Sequence, residues 1–206
     1  MTKSMQGKIF INTTPNRRRT TKEDRFSKVV YDYFNEKLKK SKFSNKVGIV
    51  EKKQILKDIT FINDKSRFYY SRTRWSFMLG FQQQDIVFVS KTVIEKKRFA
   101  DSDMMEFSRA SDIIFVPLVI CELKIGKNLT THQILTYSQI AREIRYISPF
   151  CKYFIIIDKN RKMLPETIAR QAKEIDEVFE SWEKNKRLIW RSVLNHFKYL
   201  QRLEII

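Results

Sequence analysis

The stretch from Ile113 to Leu123 constrains the fold more than any other part of the chain. Of its eleven residues only Glu122 is charged, and Pro117 is the one interruption in a run rich in Ile and Val. Asp112 precedes it, and Lys124, Gly126 and Asn128 close it. An apolar run of this length reads as a strand buried on both faces, and such strands lie inside sheets covered by helices. The elements that follow meet that demand. Thr131 to Ile147 has the spacing of a helix, and Tyr153 to Ile157 is a second, wholly apolar strand of five residues. Strand, helix and buried strand in that order predict a crossover unit within a mixed sheet.

The preceding residues supply the rest of the layers. Phe26, Val29, Val30, Tyr33, Phe34 and Leu38 recur at three- and four-residue steps, which predicts a helix from Thr20 to about Phe43. Thr20 and Glu23 have capping-box spacing at its start. Short β-branched and aromatic runs around Ile59 to Ile62, Arg67 to Leu79 and Ile86 to Ile94 read as strands, several of them antiparallel. Ala100 to Ser111 reads as a loop, and Leu164 to Leu203 as one or two helices broken near Asn185. The expectation is an α/β (α+β) protein with a central mixed β-sheet flanked by helices. Its parts are a basic arm at 1–19, a core at 20–160 and a C-terminal helical extension of the same domain at 161–206.

Scarcity and charge narrow the function. With only Gly7, Gly48, Gly80 and Gly126, no glycine-rich phosphate cradle can be written, which excludes P-loop hydrolases and dinucleotide oxidoreductases. No nucleotide cofactor is expected. His132, His196, Cys121 and Cys151 match no zinc spacing, and two cysteines without a signal-peptide pattern or a long apolar run predict a soluble, intracellular, cytoplasmic protein that does not engage a membrane. Lys and Arg number 41 against 23 Asp and Glu, a formal charge of +18. Residues 1–50 hold 13 of those cations against 4 acids, half of the excess in a quarter of the chain. A surplus of this size is most readily tolerated where a polyanion neutralises it, so DNA is the first candidate partner. A solvated surface that keeps the chain soluble would show the same count.

The chemistry concentrates in Cys121-Glu122-Leu123-Lys124. Alternation along a strand places Glu122 and Lys124 on one face, at the tip of an otherwise apolar element. A strand that simply ends there would also carry such a pair. Asp112 opens the same run ten residues earlier, and a chain reversal near Val116 and Pro117 would set it opposite Glu122. Two carboxylates beside an ammonium form a hard-oxygen site suited to Mg²⁺. Such an ion activates water and binds phosphate.

At this point the sequence resembles the PD-(D/E)XK nuclease superfamily, which includes restriction enzymes, lambda-type exonucleases, RecB-like nucleases and archaeal Holliday-junction resolvases. Ser111-Asp112-Ile-Ile-Phe followed by Glu122-Leu123-Lys124 carries the resemblance, with serine in place of the usual proline. Gln133-Ile-Leu-Thr-Tyr137 is similar to the QxxxY element of the RecB-like branch, four residues apart on one helical face. The resemblance spans about residues 85–157. It implies a restriction-endonuclease-like fold and Mg²⁺-dependent cleavage of DNA, with Mn²⁺ able to substitute, in repair, recombination or replication. It also implies a homodimer, since two strands need two sites. Asp112, Glu122 and the Leu123 carbonyl would hold the metal, Lys124 would orient the attacking water, and Gln133 and Tyr137 would buttress the site.

Gln84-Asp85-Ile-Val-Phe-Val is a second aspartate opening a strand, and Val-Pro is poor chemistry for a tight hairpin. If Ile113 to Lys124 is one continuous strand, Asp85 replaces Asp112 as ligand; the compact spacing favours Asp112. Glu36 is a candidate acid from the first helix. Arg17, Arg18 and Arg19 in the arm, Arg72 and Arg74 beside Trp75, and Arg142, with Arg145 near it, are candidate phosphate contacts. The alternative to an enzyme is a basic DNA-binding protein that keeps this fold without activity.

Overall fold

The computed structural model describes residues 21–63, 75–91, 115–126, 129–159, 166 and 170–206. Five strands form one sheet in the order β1-β2-β3-β4-β5, where β1 is Val47–Asn63, β2 Trp75–Ser90, β3 Pro117–Lys124, β4 Lys152–Ile157 and β5 Glu177–Phe179. β1, β2 and β3 pair antiparallel, while β3, β4 and β5 pair parallel, so the sheet is mixed. Helices α1 (Lys22–Lys39) and α3 (Trp182–Arg202) cover one face, and α2 (Thr131–Ile147) covers the other.

The centre of the sheet forms for the reason its sequence suggests. Leu118, Val119, Ile120 and Cys121 of β3 are buried, as are Phe154 to Ile157 of β4, because both faces of these strands meet helices. On the α1/α3 face, Phe26, Val30, Phe34 and Leu38 form an i, i+4 line that is buried against Ile86, Phe88 and Val119. Trp182 at the start of α3 makes edge contacts with Phe26, Tyr33 and Phe34 at centroid distances of 6.3, 5.3 and 5.4 Å. Val29 departs from the expected stripe and is exposed.

Four local expectations change. α1 runs Lys22–Lys39 rather than 20–43, and its capping box is Thr21 with Asp24, one residue beyond Thr20 and Glu23. The shift releases Glu23 from the cap. Among the described residues, the short strands expected between 59 and 94 fall within two long partners, paired from Val47↔Ser90 to Asn63↔Trp75, while 67–74 and 92–94 lie outside the described residues. The chain does not reverse at Val116 and Pro117: Pro117 pairs with Val89, and the Val116 carbonyl accepts from the Ser90 N–H at 3.0 Å, so this segment continues the ladder with β2. Within 161–206, Glu177–Phe179 joins the sheet as β5, and α3 passes through Asn185 unbroken. Three residues are too few to show a strand period, and β5 exists because it has β4 to pair with.

Lys52 is an anomaly within β1. Its φ of +49° lies in the left-handed region, which a side chain makes unfavourable. Before it, Val47 and Ile49 pack toward the α1/α3 face; after it, Ile55 packs toward α2 and Lys57 pairs with Glu143 of α2 at 3.0 Å. The kink inverts which face the strand presents.

Candidate functional site

The site is built by the pairing of β2 with β3. Ile86 lies beside Cys121 and Val87 beside Ile120. One further step in that register brings Asp85 level with Glu122, and the Leu123 N–H donates to Asp85 Oδ2 at 2.8 Å. On β3, Lys124 Nζ bonds Glu122 Oε1 at 2.8 Å. Lys124 Nζ also lies 4.7 Å from the centre of the Tyr137 ring, which α2 supplies across the same end of the strand. Among the described residues the aspartate beside Glu122 is Asp85, the less favoured of the two sequence candidates. Asp112 lies outside the described residues.

These groups open into a cleft of about 220 Å³ between the end of β3 and the first turns of α1. Glu23, Asp24, Asp85 and Glu122 line it, with Lys52 and Lys124 as the cations. Among the described lining residues, four carboxylates against two ammonium groups leave a formal −2 in a chain whose total is +18. Such a concentration of acid is unfavourable without a cation to balance it.

The titration behaviour reflects that crowding. Burial, with the nearby Asp85 charge second, pushes the Glu122 carboxyl up to about 7, against the smaller pull of Lys124 and of hydrogen bonds from Lys124 and Tyr137. Burial also raises Asp85, opposed chiefly by the Leu123 N–H. For Lys124, burial alone would lower the ammonium pKa; the Glu122 charge and hydrogen bonds with Glu122 and Tyr137 outweigh it and hold the group above its ordinary value. Behind the site, Tyr153 Oη bonds the buried Gln84 Oε1 at 3.2 Å.

The other expected residues divide. Gln133 occupies the third position of α2, where its side chain accepts from the Thr130 N–H at 2.9 Å in a capping box; it serves the helix start, while Tyr137, one turn on, reaches the site. Glu36 is exposed and paired with Lys40, about 20 Å from Glu23 along α1 at 1.5 Å per residue. Glu23, read from sequence as a cap, is one of two acids that α1 brings to the cleft, with Asp24 the other. Arg142 is exposed and bonds the Tyr146 hydroxyl. Arg145 is committed to structure: it pairs with Glu174 at 3.0 Å and with Asp176, and donates to the Cys151 carbonyl. Arg17, Arg18, Arg19, Arg72 and Arg74 lie outside the described residues. His132 is exposed, and His196 is buried with Nε2 2.8 Å from the Phe150 carbonyl. Nothing in the sequence singled out Lys52, which sits among Glu51 and Lys53 as one charge of three.

Among the described residues, no group of three or more His, Cys, Asp and Glu converges to hold a metal ion. Of the four carboxylates that line the cleft, Asp85 and Glu122 are the two that the β2–β3 pairing brings side by side. Mg²⁺ keeps several waters and binds through one or two carboxylates, so this pair matches its needs. Among the described residues, no helix is long and apolar enough to cross a membrane. No protein-family model matches the chain, and no curated protein sequence matches it.

Proposed function

We propose that this protein is a Mg²⁺-dependent DNA nuclease of the PD-(D/E)XK type. One observation carries the reading: the β2–β3 pairing sets Asp85 beside the Glu122-Leu123-Lys124 tripeptide in an acidic cleft of a strongly basic protein. Asp85, Glu122 and the Leu123 carbonyl would hold the ion. Burial, with the Asp85 charge second, lifts Glu122 to about 7, and a divalent cation between the two carboxylates would offset the part that comes from Asp85. When bound, the ion polarises the phosphodiester and lowers the pKa of a water.

The chain's own groups do the rest. Lys124, kept protonated by Glu122 and Tyr137, stabilises negative charge developing on the phosphoryl oxygens and orients the attacking water. Tyr137 fixes Lys124 by hydrogen bonding and by its ring face. A symmetric dimer, one site per strand, belongs to the same reading.

The test is cleavage of a four-way junction, a flap, plain duplex and single-stranded DNA with Mg²⁺ or Mn²⁺. Glu122→Ala, Lys124→Ala and Asp85→Asn each lower the rate by about 10²–10³-fold, while Asp112→Asn leaves it near wild type. Cutting that survives in the Glu122 and Lys124 variants refutes the assignment. DNA binding without any cutting favours the inactive DNA-binding protein, a reading helped by the absence of a third converging acid among the described residues.

A further inference from the structure

We propose that Lys52 is a second cationic contact to the phosphodiester backbone, aimed into the cleft by the left-handed kink in β1; this rests on the nuclease reading above. In the β1–β2 register, Glu51 lies beside Ile86 and Lys53 beside Gln84, so Lys52 is level with Asp85. Asp85 is in turn level with Glu122. Lys52, Asp85 and Glu122 thus form a row across three neighbouring strands, with about 10 Å between the β1 and β3 backbones. Lys52 ends the row on β1, and Lys124 lies two residues beyond Glu122 along β3, so each of the strands flanking Asp85 carries one cation of the cleft.

The conformation at Lys52 points to a purpose for its side chain. The inversion that lets Ile55 and Lys57 pack toward α2 needs a left-handed residue, and glycine or asparagine meets that need with less strain. Lysine stands there instead, and its ammonium bonds the Asp24 carboxylate at the rim of the cleft. Both partners are about 40% exposed, so the pair by itself adds little to stability. Packing accounts for the left-handed backbone but not for the choice of lysine there, and costly conformations of this kind cluster at binding sites. Asp24 is fixed by the α1 capping box, where it accepts from the Thr21 N–H at 2.9 Å. It therefore acts as a positioning residue that holds the ammonium at the cleft mouth until a phosphate oxygen shares it. An anionic strand entering a cleft whose described lining carries a formal −2 needs such a contact, and among the described lining residues Lys52 is the only cation besides Lys124.

The experiment measures binding of fluorescein-labelled duplex and single-stranded DNA by anisotropy, without divalent metal, over a salt series. Lys52→Gly and Lys52→Asn keep the kink and remove the charge; Lys52→Arg keeps the charge. The glycine and asparagine variants are expected to bind about 5–10-fold more weakly. Their log K against log salt should be shallower by about 0.7–0.9, the loss of one phosphate contact. Arginine should restore the slope, and in cleavage the loss should fall on KM more than on kcat. Folding is checked by matching unfolding midpoints. A wild-type slope in both uncharged variants overturns the proposal while leaving the nuclease reading intact. A reduced slope in a protein that never cuts DNA upholds the contact and sinks the nuclease reading. Failure of the wild type to bind either DNA overturns both.

Discussion

Replacing Glu122 by glutamine isolates the electrostatic load at the centre of the site. The carboxyl titrates at about 7 in the folded protein and at an ordinary 4.5 when unfolded. At 1.36 kcal/mol per pH unit that gap is worth about 3 kcal/mol, and with the side chain only 13% exposed little of it is screened. The folded pKa is the higher one, so the stabilising contribution is fully present below pH 4.5. It declines as pH rises toward 7 and is gone above. Glutamine does not ionise and shows no such decline. Urea unfolding followed by the fluorescence of Trp182 and Trp190, repeated from pH 4 to pH 8, should give a difference between variant and wild type that grows by about 3 kcal/mol across the range in favour of glutamine. At pH 8, Mg²⁺ at about a hundred times its Kd should return about 2.7 kcal/mol to the wild type and almost nothing to the variant. Parallel stability curves at every pH would refute the claim that Glu122 is a crowded, buried carboxylate.

Three further perturbations test separate parts of the structure. Tyr137→Phe removes a hydrogen bond that lowers the Glu122 pKa, so the acid limb of the pH–rate profile should move to higher pH, with Tyr137→Trp no better. Arg145→Ala severs contacts to Glu174, Asp176 and the Cys151 carbonyl, and should cost about 1–3 kcal/mol in chemical denaturation while leaving the salt dependence of DNA binding unchanged. Phe34→Ala opens a void beneath Trp182 and Phe88 at a fully buried position, and should cost about 3–5 kcal/mol by the same measurement.

The legible parts of the fold share one property: their evidence lies within a few residues of chain. Thr131–Ile147 forms the helix its spacing predicts, and Lys152–Ile157 the buried strand, since burial on every side leaves an unbroken apolar run. Long β1 and β2 were harder to read, because Glu51, Lys52 and Lys53 interrupt any alternation and a left-handed residue inverts the facing in mid-strand. The capping box of α1 was misplaced by one residue for a similar reason. Thr20, Thr21, Thr130 and Thr131 offer adjacent hydroxyls, and which one caps depends on where the helix docks.

Glu122 and Lys124 were recognisable as a site because two charges at the end of an apolar strand are conspicuous in one dimension. Their companions were not. Asp85 is 37 residues away in sequence from Glu122 and meets it because β3 pairs antiparallel with β2, with Pro117 entering the ladder beside Val89 instead of turning. Glu23 lines the cleft because the first turn of α1 docks beside the end of β3, and Lys52 because strand register sets it level with Asp85. Local chain chemistry determined α1, α2, β3 and β4 and showed that β3 carries Glu122-Leu123-Lys124. Strand pairing decided which acid and which second cation stand beside it, since hydrogen bonds between distant segments form wherever the whole core is best buried, and no short window of sequence contains that sum.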